Sequence, residues 1–181
     1  MNDSAINDSA INKPILNLDE LELQPRPEAF AATGPAAEKY DARMAMVSRA
    51  LGASQLGYNV IAVPPGMRAF PFHNHRVREE MFFILQGTGE VRVGEQRYPI
   101  RQGDFIACPA GDAETAHQII NTSEAEIRYL CVSTQVSPEI CDYPDTGKFG
   151  ILGEFTNSKG EAEIFMHIGR HERNLDYWEG E

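Results

Sequence analysis

From Tyr40 onward, short apolar runs alternate with turn residues at close intervals. The runs are MAMVSRAL (44–51), LGYNVIAV (56–63), EEMFFIL (79–85), EVRV (90–93), QRYPI (96–100), DFIAC (104–108), AHQII (116–120) and EIRYLCVS (126–133). They are rich in Val, Ile, Phe and Tyr, the residues that suit a half-buried pleated surface. Between them fall PPG (64–66), QGTG (86–89), VGEQ (93–96), RQGD (101–104) and PAGD (109–112), whose glycines and prolines supply turn geometry. No stretch sustains a helical period. The pattern therefore predicts an all-β domain, a sandwich, jelly roll or small barrel, and disfavours parallel βαβ architecture.

The two ends read differently. MNDSAINDSAIN repeats the polar unit NDSAI, too short to bury anything, and residues 1–12 are expected to form a disordered tail. Residues 13–40 read as an arm, because Leu21 and Leu23 alternate as in an extended piece while four prolines at 13–35 exclude a long helix. The β-rich domain is placed at 41–137. After Ser137, PEICDYPDTGK reads as loop, followed by two strand-like pieces, FGILGEF and AEIFMHI. Residues 138–181 are expected to pack on the barrel as an extension. These last strands can pair with the arm or with a second subunit.

Charge and cysteine content narrow the function classes. A net charge of -11 over 181 residues, with the basic residues scattered, repels phosphate backbones and anionic lipid, so neither nucleic acid nor membrane is an expected partner. Three sparse cysteines do not make a disulfide framework and suit a reducing compartment, with cytoplasm the expected location. No apolar run approaches the roughly 20 residues that span a bilayer.

Candidate chemistry lies at 72–87, FHNHRVREEMFFILQG. His73 and His75 are two apart, so on a strand both point to one face and can converge on one ion. Glu79 or Glu80 brings a carboxylate back to the same place. Glu80 shares its face with Phe82 and Ile84, whereas Glu79 shares its face with Met81 and Phe83. A third imidazole, His117, opens the run AHQII. Three imidazoles and a carboxylate suit divalent Mn, Fe, Ni or Zn better than Ca or Mg, and leave coordination positions open. His167 and His171 are four apart, but Gly169 between them and the strand-like AEIFM before them make surface histidines the better account.

These residues resemble the two motifs of the cupin family. Gly66-x6-His73-x-His75-x4-Glu80-x6-Gly87 resembles the first, and Gly103-x5-Pro109-x-Gly111-x5-His117-x3-Asn121 resembles the second; together they cover about a third of the chain. The motif spacing selects Glu80 over Glu79. The chain departs from the usual pattern by one extra residue ahead of the HxH pair and by a longer DAETA insertion ahead of His117. LGYNVIAVPPG, IACPAGD, DYPD and YWEGE are similar to a bacterial group of small single-domain cupins (cupin type 2), most of unassigned reaction.

The resemblance implies a double-stranded β-helix, a jelly-roll barrel with a divalent transition metal in its mouth, held by His73, His75, Glu80 and His117. Strand parity adds Phe82, Ile84 and Ile119 as pocket lining. Cupins are commonly dimers, which makes a homodimer the expected assembly, with the arm available for exchange. The functional expectation is a metal-dependent enzyme, such as a dioxygenase, decarboxylase or isomerase, acting on a small polar or carboxylate-bearing molecule. The alternative is a module that binds or senses a sugar or metabolite without turning it over. The facing of 104–108 and 126–133 stays open, and an inward Arg128 would point to an anionic substrate.

Overall fold

The computed structural model describes residues 14–170 and 175–181; the expected tail at 1–12 and His171 lie outside the described residues. Short 3-10 turns at Leu18–Glu20, Glu28–Phe30 and Gly34–Ala36 punctuate the arm around β1 (Gln24–Pro25). Then come β2 (Arg43–Ala45), α1 (Val47–Ala50), β3 (Leu56–Val63), β4 (Asn74–His75) and β5 (Glu80–Gln86). Five strands follow: β6 (Thr88–Val93), β7 (Gln96–Arg101), β8 (Phe105–Cys108), β9 (His117–Ile120) and β10 (Ile127–Thr134). The chain ends through β11 (Glu139–Tyr143), a turn at Pro144–Thr146, β12 (Lys148–Thr156) and β13 (Ala162–Arg170).

The strands form three antiparallel sheets, in the orders β1-β2-β3-β10-β5-β8, β13-β12-β11-β4 and β7-β6-β9. A bridge between His73 and His117 ties the second sheet to the third. Every second residue of the central strands faces inward, as the pleat requires. Ile61 and Val63 of β3, Phe82 and Ile84 of β5, Ile106 and Cys108 of β8, and Ile127, Tyr129 and Cys131 of β10 meet Val91 and Ile119 from the third sheet in one buried cluster. This is a jelly-roll barrel, one of the architectures the strand pattern allows and the one the cupin resemblance implies.

Gly87 shows why a glycine closes β5. Its φ is +86°, and a Cβ there would stand 2.7 Å from the Glu126 carbonyl oxygen, so no other residue turns the chain into β6 without displacing β10.

Two local readings are corrected. The run 44–51 is not one strand: β2 pairs with β3 over Arg43–Ala45 and stops there, and Val47–Ala50 forms a single helical turn. Beyond Ala45 the chain leaves the sheet and satisfies its amides locally, with Ala50 N donating to Met46 O at 3.2 Å and Leu51 N to Val47 O at 3.0 Å. PEICDY is not loop, since Glu139–Tyr143 forms β11, paired to β12 and to β4. Its buried residues are Glu139 and Asp142, acids that hide the strand's pattern.

The arm lies on its own barrel, where Gln24 pairs with Met44. No helix among the described residues is long and apolar enough to cross a membrane.

Candidate metal centre

β4 is two residues long and carries His75, and the Arg76–Glu79 turn returns the chain to β5 at Glu80. The geometry of that turn is set from outside it. The carboxylate of Glu139, 1% exposed, accepts the backbone amides of Arg76 (3.1 Å), Val77 (3.3 Å), Arg78 (2.7 Å) and Ile140 (2.8 Å). A charge this well hydrogen-bonded is tolerated in the interior and fixes the spacing between His75 and Glu80. His117 enters from β9, and His73 is held against it by the bridge between their backbones.

One ligand atom from each of His73, His75, Glu80 and His117 lies within 4.8 Å of the others. Their Nδ1 atoms face backwards, onto second partners. Nδ1 of His73 is 2.8 Å from Pro71 O, and Nδ1 of His117 is 3.1 Å from Thr115 O. With N–H donated to those carbonyls, the lone pairs of both rings fall on Nε2. Nδ1 of His75 lies 3.3 Å from Cys141 Sγ and 3.8 Å from Glu139 Oε2.

The forward-facing atoms converge on Glu80. Nε2 of His117 is 3.2 Å from Glu80 Oε2, and Nε2 of His75 comes within 3.4 Å of the same oxygen yet is buried without a hydrogen bond. Two ring nitrogens and a carboxylate facing one another require positive charge between them, either protons or a cation. The donor set of three nitrogens and one oxygen could hold a transition metal.

Titration follows the same geometry. Burial and then the charges of His117 and His75 push His73 down to about 4. For His75, burial alone lowers the value, but the contacts to Cys141 and Glu80 outweigh it and raise the ring to about 10. Burial works against ionisation of Glu80, yet its close contacts with His117 and His75 hold it well below the usual carboxylate range.

The three expected lining residues all belong to the buried core cluster, and the Phe82 ring stands edge-on to His117, with centroids 5.5 Å apart. Glu79 is exposed, as are Asp112 and Glu114 on the loop before His117. Arg128 points outward and pairs with Glu126 at 2.8 Å. The inward residues of β10 are Tyr129, whose ring packs on Phe82, and Cys131, whose thiol lies 3.7 Å from Glu80 Oε1. Burial and then Glu80 push the Cys108 thiol up to about 12 and the Cys131 thiol further still, so both stay protonated core groups. His167 is exposed on β13 and contacts Phe149.

Sequence reading missed Glu139, Cys141, Tyr129 and Cys131. The last two were within reach of strand parity, had the facing of β10 been known. Glu139 and Cys141 carried no signal, because their strand was hidden.

Residues 59–133 match the Cupin domain family, and the fold is a double-stranded β-helix like that of the solved cupin structures it resembles. An uncharacterized protein of Methanocaldococcus jannaschii is 31% identical over 71 residues, 39% of this chain and 54% of that protein. The chain thus matches about half the length of this curated relative. A sugar phosphate isomerase of the cupin superfamily from Silicibacter pomeroyi superposes with a TM-score of 0.70 at 24% identity, covering 91% of this chain and 98% of that one. A predicted oxalate decarboxylase from Thermotoga maritima gives 0.50 at 24% identity, covering 64% and 95%. These likenesses establish the fold.

Proposed function

We propose that His73, His75, Glu80 and His117 hold one divalent transition metal (Mn, Fe, Ni or Zn), and that the protein is a metal-dependent enzyme acting on a small polar or carboxylate-bearing molecule. The observation that carries this reading is Nε2 of His75, buried without a hydrogen bond beside Glu80 and His117. A buried polar atom left unpaired is costly, and an ion at the centre of the four donors removes the cost. When bound, such an ion supplies Lewis acidity and open positions for substrate or water.

The chain's own groups do the rest. Pro71 O and Thr115 O fix the tautomers of His73 and His117, and Cys141 with Glu139 orients His75. Phe82, edge-on to His117, and the buried Tyr129 packed on it form an apolar side of the cluster. Three free thiols support a cytoplasmic setting.

Metal analysis of tag-free protein tests the site, with His75→Ala and Glu80→Ala as controls. The reading predicts near-stoichiometric metal in the wild type and its loss in both variants. A wild type that holds no transition metal and gains no thermal stability from added Mn, Fe, Ni or Zn overturns it. Turnover assays across carboxylic acids, including oxalate, and sugar phosphates then separate an enzyme from a binding module.

A further inference from the structure

Six of the twelve arginines of this acidic chain pair with a carboxylate among the described residues. Arg43, Arg76, Arg78, Arg92, Arg97 and Arg128 all form ion pairs. Arg26 does not, although it is half-buried. It reaches inward from the arm, donates one hydrogen bond from Nη2 to Ala69 O at 2.6 Å, and lies 4.9 Å over the Phe70 ring. Asp41 acts on it only through space, and burial lowers its pKa. A guanidinium carries five N–H donors, so most of this fork is unspent.

Arg26 lines a cavity of about 350 Å³ between the arm and the turn joining β11 to β12, together with Tyr40, Pro71, Thr146, Lys148 and an apolar wall of Phe30 and alanines. Lys148 forms no ion pair among the described residues; its Nζ stands 5.5 Å from the Tyr143 ring. Two cations on one small cavity repel each other and lose hydration. Within a protein of net charge -11, that arrangement is stable when an anion enters between them.

The cavity is also one residue from the metal cluster on two sides. Pro71 contributes both to its wall and to the carbonyl that holds His73 Nδ1. Tyr143, under Lys148, stacks on His73 with centroids 6.3 Å apart. We propose that this cavity is an oxyanion receptor, in which Arg26 and Lys148 take the carboxylate or phosphate of a small anionic substrate of the neighbouring cluster. The receptor stands on its own geometry; its link to a substrate rests on the metal-centre reading. The inward arginine that would select an anion is thus supplied by the arm, and Arg128 of the barrel faces solvent.

The test uses full-length protein stripped of metal with EDTA, titrated with inorganic phosphate and with malonate at constant ionic strength set by chloride. Calorimetry and thermal melting are the readouts. At least one anion should bind saturably, and Arg26→Gln or Lys148→Gln should weaken it by about tenfold or more, the scale of one lost charge-assisted hydrogen bond. Whichever of phosphate and malonate binds more tightly assigns the oxyanion. Arg26→Lys, which keeps charge without the fork, should fall between wild type and Arg26→Gln.

Melting in chloride alone shows that each variant is folded. Lys148→Gln, on a partly exposed residue, remains informative if Arg26→Gln does not fold. The proposal is overturned if wild type binds neither anion, or if binding is unchanged in the folded variants. Anion binding in a protein that takes up no metal sinks the metal reading and leaves the receptor standing, and metal uptake without anion binding does the reverse.

Discussion

The buried carboxylate of Glu139 stands 3.8 Å from Nδ1 of His75 while accepting four backbone amides, three of them from the Arg76–Arg78 turn that leads to Glu80. One side chain therefore sets both the orientation of an imidazole and the distance to the carboxylate it faces. Glu139→Ala leaves those amides unpaired in the interior and should destabilise the fold by about 3 kcal/mol. Glu139→Gln keeps an acceptor oxygen but loses its charge, and should cost less. Both should weaken metal uptake by about 10- to 100-fold, as loss of an orienting partner does. Urea denaturation and metal titration of the two variants check this. Unchanged metal affinity in a folded Glu139→Gln would remove Glu139 from the site.

The opposed titrations of His73 and His75 give the metal-free protein a stability optimum near pH 6.5. His75 is raised to about 10 in the fold, so its contribution is fully present below about 6.5 and is lost as pH rises through 10. His73 is lowered to about 4, so below about 6.5 the unfolded chain takes up a proton that the fold refuses, and stability falls. Glu80, held below its ordinary value, adds to the loss in acid. Urea midpoints of metal-free protein from pH 5 to 10 should trace this peak. A bound ion needs His75 neutral, so uptake at pH 7 should release about one proton, read as a buffer-dependent heat. Equal heats in buffers of different ionisation enthalpy would contradict it.

Asn121, the last residue of the second motif, has a different role from the histidine it follows. It is fully buried, donates Nδ2 to Val63 O (2.8 Å) and Ala125 O (2.7 Å), and accepts from Ser123 N and Oγ through Oδ1. It joins the end of β3 to the loop entering β10. Asn121→Ala should cost about 2–4 kcal/mol through unpaired backbone carbonyls while leaving metal stoichiometry unchanged. A thermal melt paired with metal analysis separates these effects.

Legibility in the sequence followed the physics of each signal. β3 and β5 could be read because Val, Ile and Phe recur on one face of a pleat and glycines end the runs. His73, His75, Glu80 and His117 could be grouped because parity and spacing act over a few residues. Glu139 brings an acid into the interior, satisfied by amides more than 60 positions earlier, and no local pattern records that. Arg26 was equally silent, since an arginine in a proline-rich arm looks solvated until the arm is laid on the barrel.

Strand β13 is the edge of its sheet, and four of its apolar residues are half exposed or more: Ile164 (69%), Phe165 (50%), Met166 (56%) and Ile168 (57%). Edges are ordinarily blunted by charge, proline or a covering segment, yet here Glu163 and Arg170 flank an uncharged centre. An antiparallel pair of two copies that sets Glu163 of each against Arg170 of the other also sets Phe165 against Ile168 across a two-fold axis. An exposed apolar edge of this kind makes β13 the predicted interface of the homodimer expected from the sequence. Ile164→Lys with Met166→Lys should convert a dimer to a monomer in light scattering and leave the barrel's melting cooperative. A wild type that is monomeric at about 100 µM, well above typical dissociation constants for stable dimers, would rule the assembly out. A dimer that survives the double substitution would move the interface elsewhere.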